Sequence, residues 1–314
     1  MLDHQTSGVY IIAATPFTED GAIDFASVDR MIDFYVESGV NGITVLGMMG
    51  EAPKLTHEES LTLTRQVVRR SGLPVIVGVS APGFAAMAQL AKATVDAGAA
   101  GVMIAPASTA RTDDQIVAYF ANAAEAIGRD VPFVIQDYPQ STGVVMSPGV
   151  IRRIVTENSS CVMLKHEDWP GLDKITAVRQ RIGEGAMRPI SILCGNGGLF
   201  LPHEIERGAD GAMTGYAFPE MLVELVRLAK AGERGDAHDL FDLHLPLLRY
   251  EQQPGLGLAV RKYVMKRRGV IASDMQRKPA ARLSPKSVAE IECLLERLLQ
   301  RIGTPFLVHP ESSH

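Results

Sequence analysis

The stretch Cys161-Val162-Met163-Leu164-Lys165-His166-Glu167-Asp168-Trp169-Pro170 is apolar at first and turns abruptly polar at a lysine. A parallel strand has this form: it is apolar on both faces until it reaches the mouth of an α/β fold, where functional groups collect. Side chains alternate along a strand, so Lys165 and Glu167 face one way and His166 the other. Burying a charged ammonium is expensive, which favours the free amine, and a free amine attacks ketones. Lys165 is therefore a candidate nucleophile. The same residues also fit a strand-end lysine held in an ordinary ion pair with Glu167 or Asp168.

Outward from this run, short apolar stretches alternate with amphipathic helical ones. The strand candidates are Tyr10–Thr15, Gly42–Gly47, Pro74–Ser80, Gly101–Pro106, Pro132–Asp137, Val162–Glu167, Ile190–Asn196 and Gly211–Tyr216. Between them, Asp24 opens a helix to Ser38, and Thr56-His57-Glu58-Glu59 and Thr112-Asp113-Asp114-Gln115 are capping boxes. Ser147-Pro148 starts a helix through Val155. Eight β–α units, with no Gly-x-Gly-x-x-Gly turn of a dinucleotide site, favour a (β/α)8 TIM barrel over an open doubly wound sheet. After Tyr216 only helices are expected: Phe218–Ala231, Gly235–Arg249, Leu256–Arg268 and Ser284–Arg301. The expected organisation is a barrel over residues 1–230, a helical extension packed on it over 231–303, and a flexible tail over 304–314.

The 314 residues suffice for a barrel of this kind with its extension. A net charge of −5, without a basic block interleaved with aromatics, argues against a nucleic-acid surface. The densest basic run, Arg261-Lys262 to Lys266-Arg267-Arg268, is expected to be a solvated face or an oligomer contact. Cys161, Cys194 and Cys293 are odd in number and far apart, which suits a reducing cytosol better than disulfides. Without a signal-like N-terminus or a long unbroken apolar run, the expectation is a cytoplasmic protein with no membrane partner.

In a barrel the strand ends converge, so the other ends supply Lys165 with neighbours. Gly47-Met48-Met49-Gly50 can expose backbone N–H groups that grip a carboxylate, or can be a plain tight turn. Gln136-Asp137-Tyr138-Pro139 brings an amide, a carboxylate and a phenol to the same rim for proton transfer or hydroxyl binding, and Tyr138 also fits a packed ring. Cys194-Gly195-Asn196-Gly197-Gly198 is a second glycine-rich turn. Metal-ligand spacing is absent, so no metal and no cofactor is expected.

Taken together, Thr15-Pro16-Phe17, Gly47-x-x-Gly50-Glu51 with Leu55-Thr56 and Glu59, Pro139 with Thr142-Gly143, Lys165 on the sixth strand, and Gly208-Ala209-Asp210-Gly211 resemble the dihydrodipicolinate synthase/N-acetylneuraminate lyase family. The resemblance runs from about Val9 to about Leu299 and includes Arg277-x-Pro279. It implies a homotetramer of TIM barrels in which Lys165 forms a Schiff base with a 2-oxo acid. Several residues depart from the family pattern. Met48 and Met49 replace a threonine pair, Gln136 and Asp137 stand in the place of Tyr-Asn, Ser108 falls near the second tyrosine, and Ser141 replaces a carboxylate-binding arginine. A thioether or an amide cannot exchange protons as a hydroxyl does, so the synthase relay is missing. Gln136-Asp137, Lys165-x-Glu167 and Gly211-Ala212-Met213-Thr214-Gly215 look more like the branch that dehydrates 2-keto-3-deoxy sugar acids such as 2-keto-3-deoxyarabonate.

The expected activity is a Schiff-base lyase, dehydratase or retro-aldolase, with Lys165, Glu167, Gln136 and Tyr138 in the chemistry. Gly47, Met48, Met49, Gly50, Asp137, Asn196 and Thr214 are expected to bind substrate. The alternatives are a 2-oxo acid-binding family member without turnover and, third, a dihydrodipicolinate synthase.

Overall fold

The computed structural model describes residues 1–303, and the tail expected over 304–314 lies outside the described residues. Eight parallel strands close in sequence order: β1 (Gly8–Ile12), β2 (Gly42–Val45), β3 (Val75–Gly78), β4 (Gly101–Ile104), β5 (Phe133–Asp137), β6 (Cys161–His166), β7 (Ser191–Cys194) and β8 (Gly211–Ala212). The strand period of two splits each strand between two cores. Tyr10, Ile12, Ile76, Met103, Val134, Met163, Leu193 and Met213 fill the barrel interior. Val9, Ile11, Ile43, Val75, Val102, Leu164 and Ile192 pack outward as part of the main core with the helices. The molecule is thus a (β/α)8 TIM barrel with C-terminal helices.

Helix starts follow their caps. Asp24 accepts from Ser27 N ahead of Phe25–Glu37, both capping boxes close on Thr56 and Thr112, and Ser147 caps Pro148–Glu157. Most expected strands run too far at the C-terminal end. Thr15, Gly47, Ser80, Pro106, Asn196 and Tyr216 all lie beyond their ladders. The cause is local at two of these ends: Leu46 (φ 56°) and Asn196 (φ 51°) take left-handed backbone that no ladder accommodates. The ladders stop there and the mouth is built from turns.

Past Pro219–Ala231, the helices Arg234–Glu251, Gly257–Arg267 and Pro285–Ile302 follow. Their attachment corrects the expectation for the basic run. Lys266 and Arg267 are exposed, but Arg261, Lys262 and Arg268 are buried. Each meets a carboxylate from another part of the chain: Arg261 Nε to Glu251 at 2.5 Å, Lys262 Nζ to Glu51 at 2.6 Å and Arg268 Nη2 to Glu220 at 2.6 Å. Buried charge persists only when it is paired and hydrogen-bonded, so these cations are internal ties and not a solvated face. Burial pulls the Lys262 amine below the usual lysine range even though Glu51 opposes it. No helix among the described residues is long and apolar enough to cross a membrane.

Candidate active site

The strand ends surround a cavity of about 710 Å³. Lys165 and Glu167 both line it, as the alternation along β6 and its continuation requires. The β5–β6 register pairs Gln136 with Lys165 and so sets the amide beside the amine. Glu167 Oε2 then forms an ion pair with Lys165 Nζ at 2.9 Å and accepts from Gln136 Nε2 at 2.9 Å. All three side chains are almost wholly buried. Gly195 makes room for the cluster, because a Cβ there would fall inside the Glu167 side chain.

The register that brings Gln136 in sends Asp137 and His166 out, since they pair with each other one step along. Asp137 is fully buried behind the barrel wall, where its Oδ2 meets Lys174 at 2.8 Å. It does not line the cavity, which corrects its assignment to substrate. Lys174 also holds Asp168 at 2.6 Å, so this outward group braces the strand end against the helix Leu172–Gly183.

Gly47 precedes a single 3-10 turn, Met48–Gly50. Gly50 N donates to Gly47 O at 3.0 Å, so it is committed to the turn and is no donor for a ligand. Met48 and Met49, as the first residues of the turn, have N–H groups with no partner inside it. Both line the cavity, and Met49 also packs on the barrel interior. Ser141 Oγ lies 3.0 Å from Met48 Sδ. Thr214 and Asn196, after β8 and β7, line the cavity too, and Asn196 Nδ2 donates to Glu167 O at 3.0 Å. Tyr138 reaches the cavity too; burial, then the Glu167 charge, pushes its phenol above the usual range, so it stays protonated at neutral pH.

Some cavity residues escape a sequence reading: Trp169, Gln140, Glu251, Gln252 and Arg261. For Gln252 the available signal was the polar break Gln252-Gln253-Pro254-Gly255 between two helices. Arg261 offered none, since its run has the look of a surface patch.

Behind the site, Glu204 on the helix Leu201–Glu206 is buried and its Oε2 has no partner among the described residues. Burial raises its carboxyl from 4.5 to about 8; the Cys194 thiol works against the rise and the Glu167 charge adds to it.

Fold and site define a barrel lyase of the aldolase type. The chain belongs to the dihydrodipicolinate synthetase family, whose pattern matches residues 5–298. It is 29% identical, over 93% of its length and 94% of the relative's, to an L-2-keto-3-deoxyarabonate dehydratase of Azospirillum brasilense. It is 28% identical to a 4-hydroxy-tetrahydrodipicolinate synthase of Methanothrix thermoacetophila, over 94% and 98% of the two chains. Among solved structures, a dihydrodipicolinate synthase from Rhodopseudomonas palustris superposes with a TM-score of 0.93 at 59% identity, over 94% of this chain and 99% of that one.

The neutral Glu204 carboxyl predicts a pH dependence of stability. Between about pH 4.5 and about pH 8 the folded protein holds a proton that the unfolded chain releases, so unfolding free energy falls as pH rises. The stabilising contribution is complete below this window and gone above it. Relative to Glu204→Gln, the wild type should lose stability across the window, with a limiting slope of about 1.4 kcal/mol per pH unit. Urea midpoints of both proteins at several pH values measure it; a difference independent of pH would show that Glu204 is not held neutral.

Proposed function

We propose that the protein is a Schiff-base lyase acting on a 2-keto-3-deoxy sugar acid, with dehydration as its reaction. The observation that carries the reading is the Glu167 carboxylate, held between Lys165 and Gln136 inside the cavity. Lys165 Nζ adds to the C2 ketone and, with loss of water, leaves a protonated imine. The cation draws electrons from C3, and Glu167 takes the C3 proton. The enamine then expels the C4 hydroxyl, which departs as water on receiving that proton. Hydrolysis of the imine restores Lys165, and the acid has lost one water overall. Met48 N and Met49 N are the candidate donors to the C1 carboxylate, an interaction that needs no side-chain hydroxyl.

Gln136 carries no exchangeable acidic proton, so its part is to orient Glu167. Retro-aldol cleavage is the competing outcome, and it needs a base on the C4 hydroxyl in place of C3. The name of the Azospirillum brasilense relative supports dehydration. The homotetramer and the cytoplasmic residence expected from the sequence belong to the same reading. A screen of 2-keto-3-deoxy acids, with mass detection of pyruvate and of the dehydrated product, separates dehydratase, aldolase and silent binder.

Borohydride with pyruvate or a 2-keto-3-deoxy acid should add mass irreversibly at Lys165, and Lys165→Arg should take up none, because arginine has no free amine. Labelling elsewhere, or none at saturating ligand, would overturn the imine.

Glu167→Gln should keep trapping nearly intact while lowering turnover by roughly 10²–10⁴-fold, the scale of a lost acid or base. If Glu167 only pairs with Lys165, the same variant frees more amine, so trapping is as fast or faster and turnover changes little.

Gln136→Tyr restores the family's common residue, yet it should not confer condensation of pyruvate with aspartate semialdehyde. Its hydroxyl would find thioethers at Met48 and Met49, and Ser141 offers no cation to the aldehyde's carboxylate. Appreciable condensation by wild type or variant would restore the synthase reading.

A further inference from the structure

Where the helix Leu201–Glu206 of the barrel meets the helix Arg234–Glu251 of the extension, His203, Glu206 and His238 come together. His238 Nε2 lies 2.9 Å from Glu206 Oε1, and His203 Nδ1 lies 3.7 Å from Glu206 Oε2. The two imidazole rings are 5.0 Å apart at their centroids, and one ligand atom from each of the three residues lies within 4.8 Å of the other two. None of the three lines the cavity, and all are open to solvent, with side chains 51%, 28% and 29% exposed for His203, Glu206 and His238. His203 and Glu206 share a helix face because they are three residues apart. His238 follows Glu206 by 32 residues and joins them only through the packing of the extension, so no local spacing displays the set.

The donors decide what such a set would hold. Two imidazoles and a carboxylate suit zinc and its neighbours in the first transition row, whereas magnesium and calcium take oxygen ligands. Zinc bonds of about 2.0–2.2 Å place tetrahedral ligand atoms roughly 3.4 Å from one another, and exposed side chains reach that spacing by small rotations. Three protein ligands leave a fourth position for water. Glu206 is ionised at neutral pH, because the His238 hydrogen bond holds its carboxyl below the usual range against the effect of burial, and the Arg234 charge adds to this. Arg234 is the competitor for that carboxylate, with Nε 2.6 Å from Oε1 and Nη2 2.9 Å from Oε2. A carboxylate has about four lone-pair positions, and the Arg234 side chain is 72% exposed, so the guanidinium shares Glu206 with a metal or swings clear of it.

We propose that His203, Glu206 and His238 form a binding site for a divalent transition metal, zinc by its donor set, which ties the extension to the barrel. The site stands apart from the chemistry at Lys165 and does not depend on the lyase reading.

The test titrates zinc chloride into chelator-treated protein carrying no polyhistidine tag, by calorimetry. Wild type should bind one zinc per chain, and magnesium in about 100-fold excess should not displace it. His203→Ala, His238→Ala and Glu206→Gln should each weaken binding by about tenfold or more, since even the outer partners of a metal matter on that scale. Arg234→Gln, which removes the competing cation, should bind zinc at least as tightly as wild type. Cys293→Ser, which removes an exposed thiol, should change nothing. Zinc should raise the urea midpoint of wild type and leave that of the two histidine variants unmoved, because a ligand of the folded state stabilises it. Binding of equal strength in the histidine variants overturns the site, as does a loss in Arg234→Gln matching theirs, which would be a general effect of disturbing this surface. Zinc binding by wild type without a rise in midpoint overturns the tie, since the unfolded chain would then hold the metal equally well.

Discussion

The contact on which the site depends is the shared one at Glu167 Oε2, which pairs with Lys165 Nζ at 2.9 Å and accepts from Gln136 Nε2 at 2.9 Å. Each neighbouring feature is a condition for it. Strand alternation puts Lys165 and Glu167 on one face, the β5–β6 register sets Gln136 beside them, and Gly195 leaves the space that the carboxylate fills. Glu204, next behind, is kept protonated by burial first and by the Glu167 charge as well. A buried carboxyl without a cation beside it is cheaper to keep neutral than ionised, and the Glu167 charge works in the same direction.

The same rule governs how the C-terminal helices attach. Glu51, at the end of the β2 turn, receives Lys54, Lys262 and the backbone N–H of Arg277, so one carboxylate ties the barrel mouth to the extension. Arg277 in turn spans to Glu59 and lies over the Phe17 ring. Arg261 and Glu251 form the next tie, and it borders the cavity itself. Ion pairs this deeply buried add little net stability over apolar residues, but removing one partner strands the other, which fixes the geometry of the mouth.

The barrel was legible in the sequence because apolar period and helix caps act over a few residues. Asp24, Thr56, Thr112 and Ser147 each cap the helix assigned to them. Lys165 and Glu167 were legible because an alternating strand decides their side. Asp137 was misplaced for want of a register: it and Gln136 are adjacent, one must face in, and only pairing with Lys165 says which. Gly50 was misjudged because its N–H is consumed by a turn bond to Gly47 that sequence does not display. Arg261, Lys262 and Arg268 had the look of a surface patch because their carboxylates lie 10, 211 and 48 residues away, beyond any local pattern.

The losses and gains at the mouth fit one change of chemistry. A condensation between two substrates must deliver protons to sites separated in space and exchange them with solvent, a task for a chain of hydroxyls. Met48, Met49 and Gln136 cannot form such a chain, and Tyr138, raised above its usual range, holds its proton. What remains beside Lys165, among the described residues, is the Glu167 carboxylate. One base suffices when the proton leaving C3 is returned to the hydroxyl leaving the adjacent carbon, because donor and acceptor positions are then neighbours on one molecule. On the reading proposed above, Glu167 in place of a relay suits elimination within one substrate better than the joining of two, and an amide at Gln136 suits that reading better than a phenol, since it holds the carboxylate without competing for its proton.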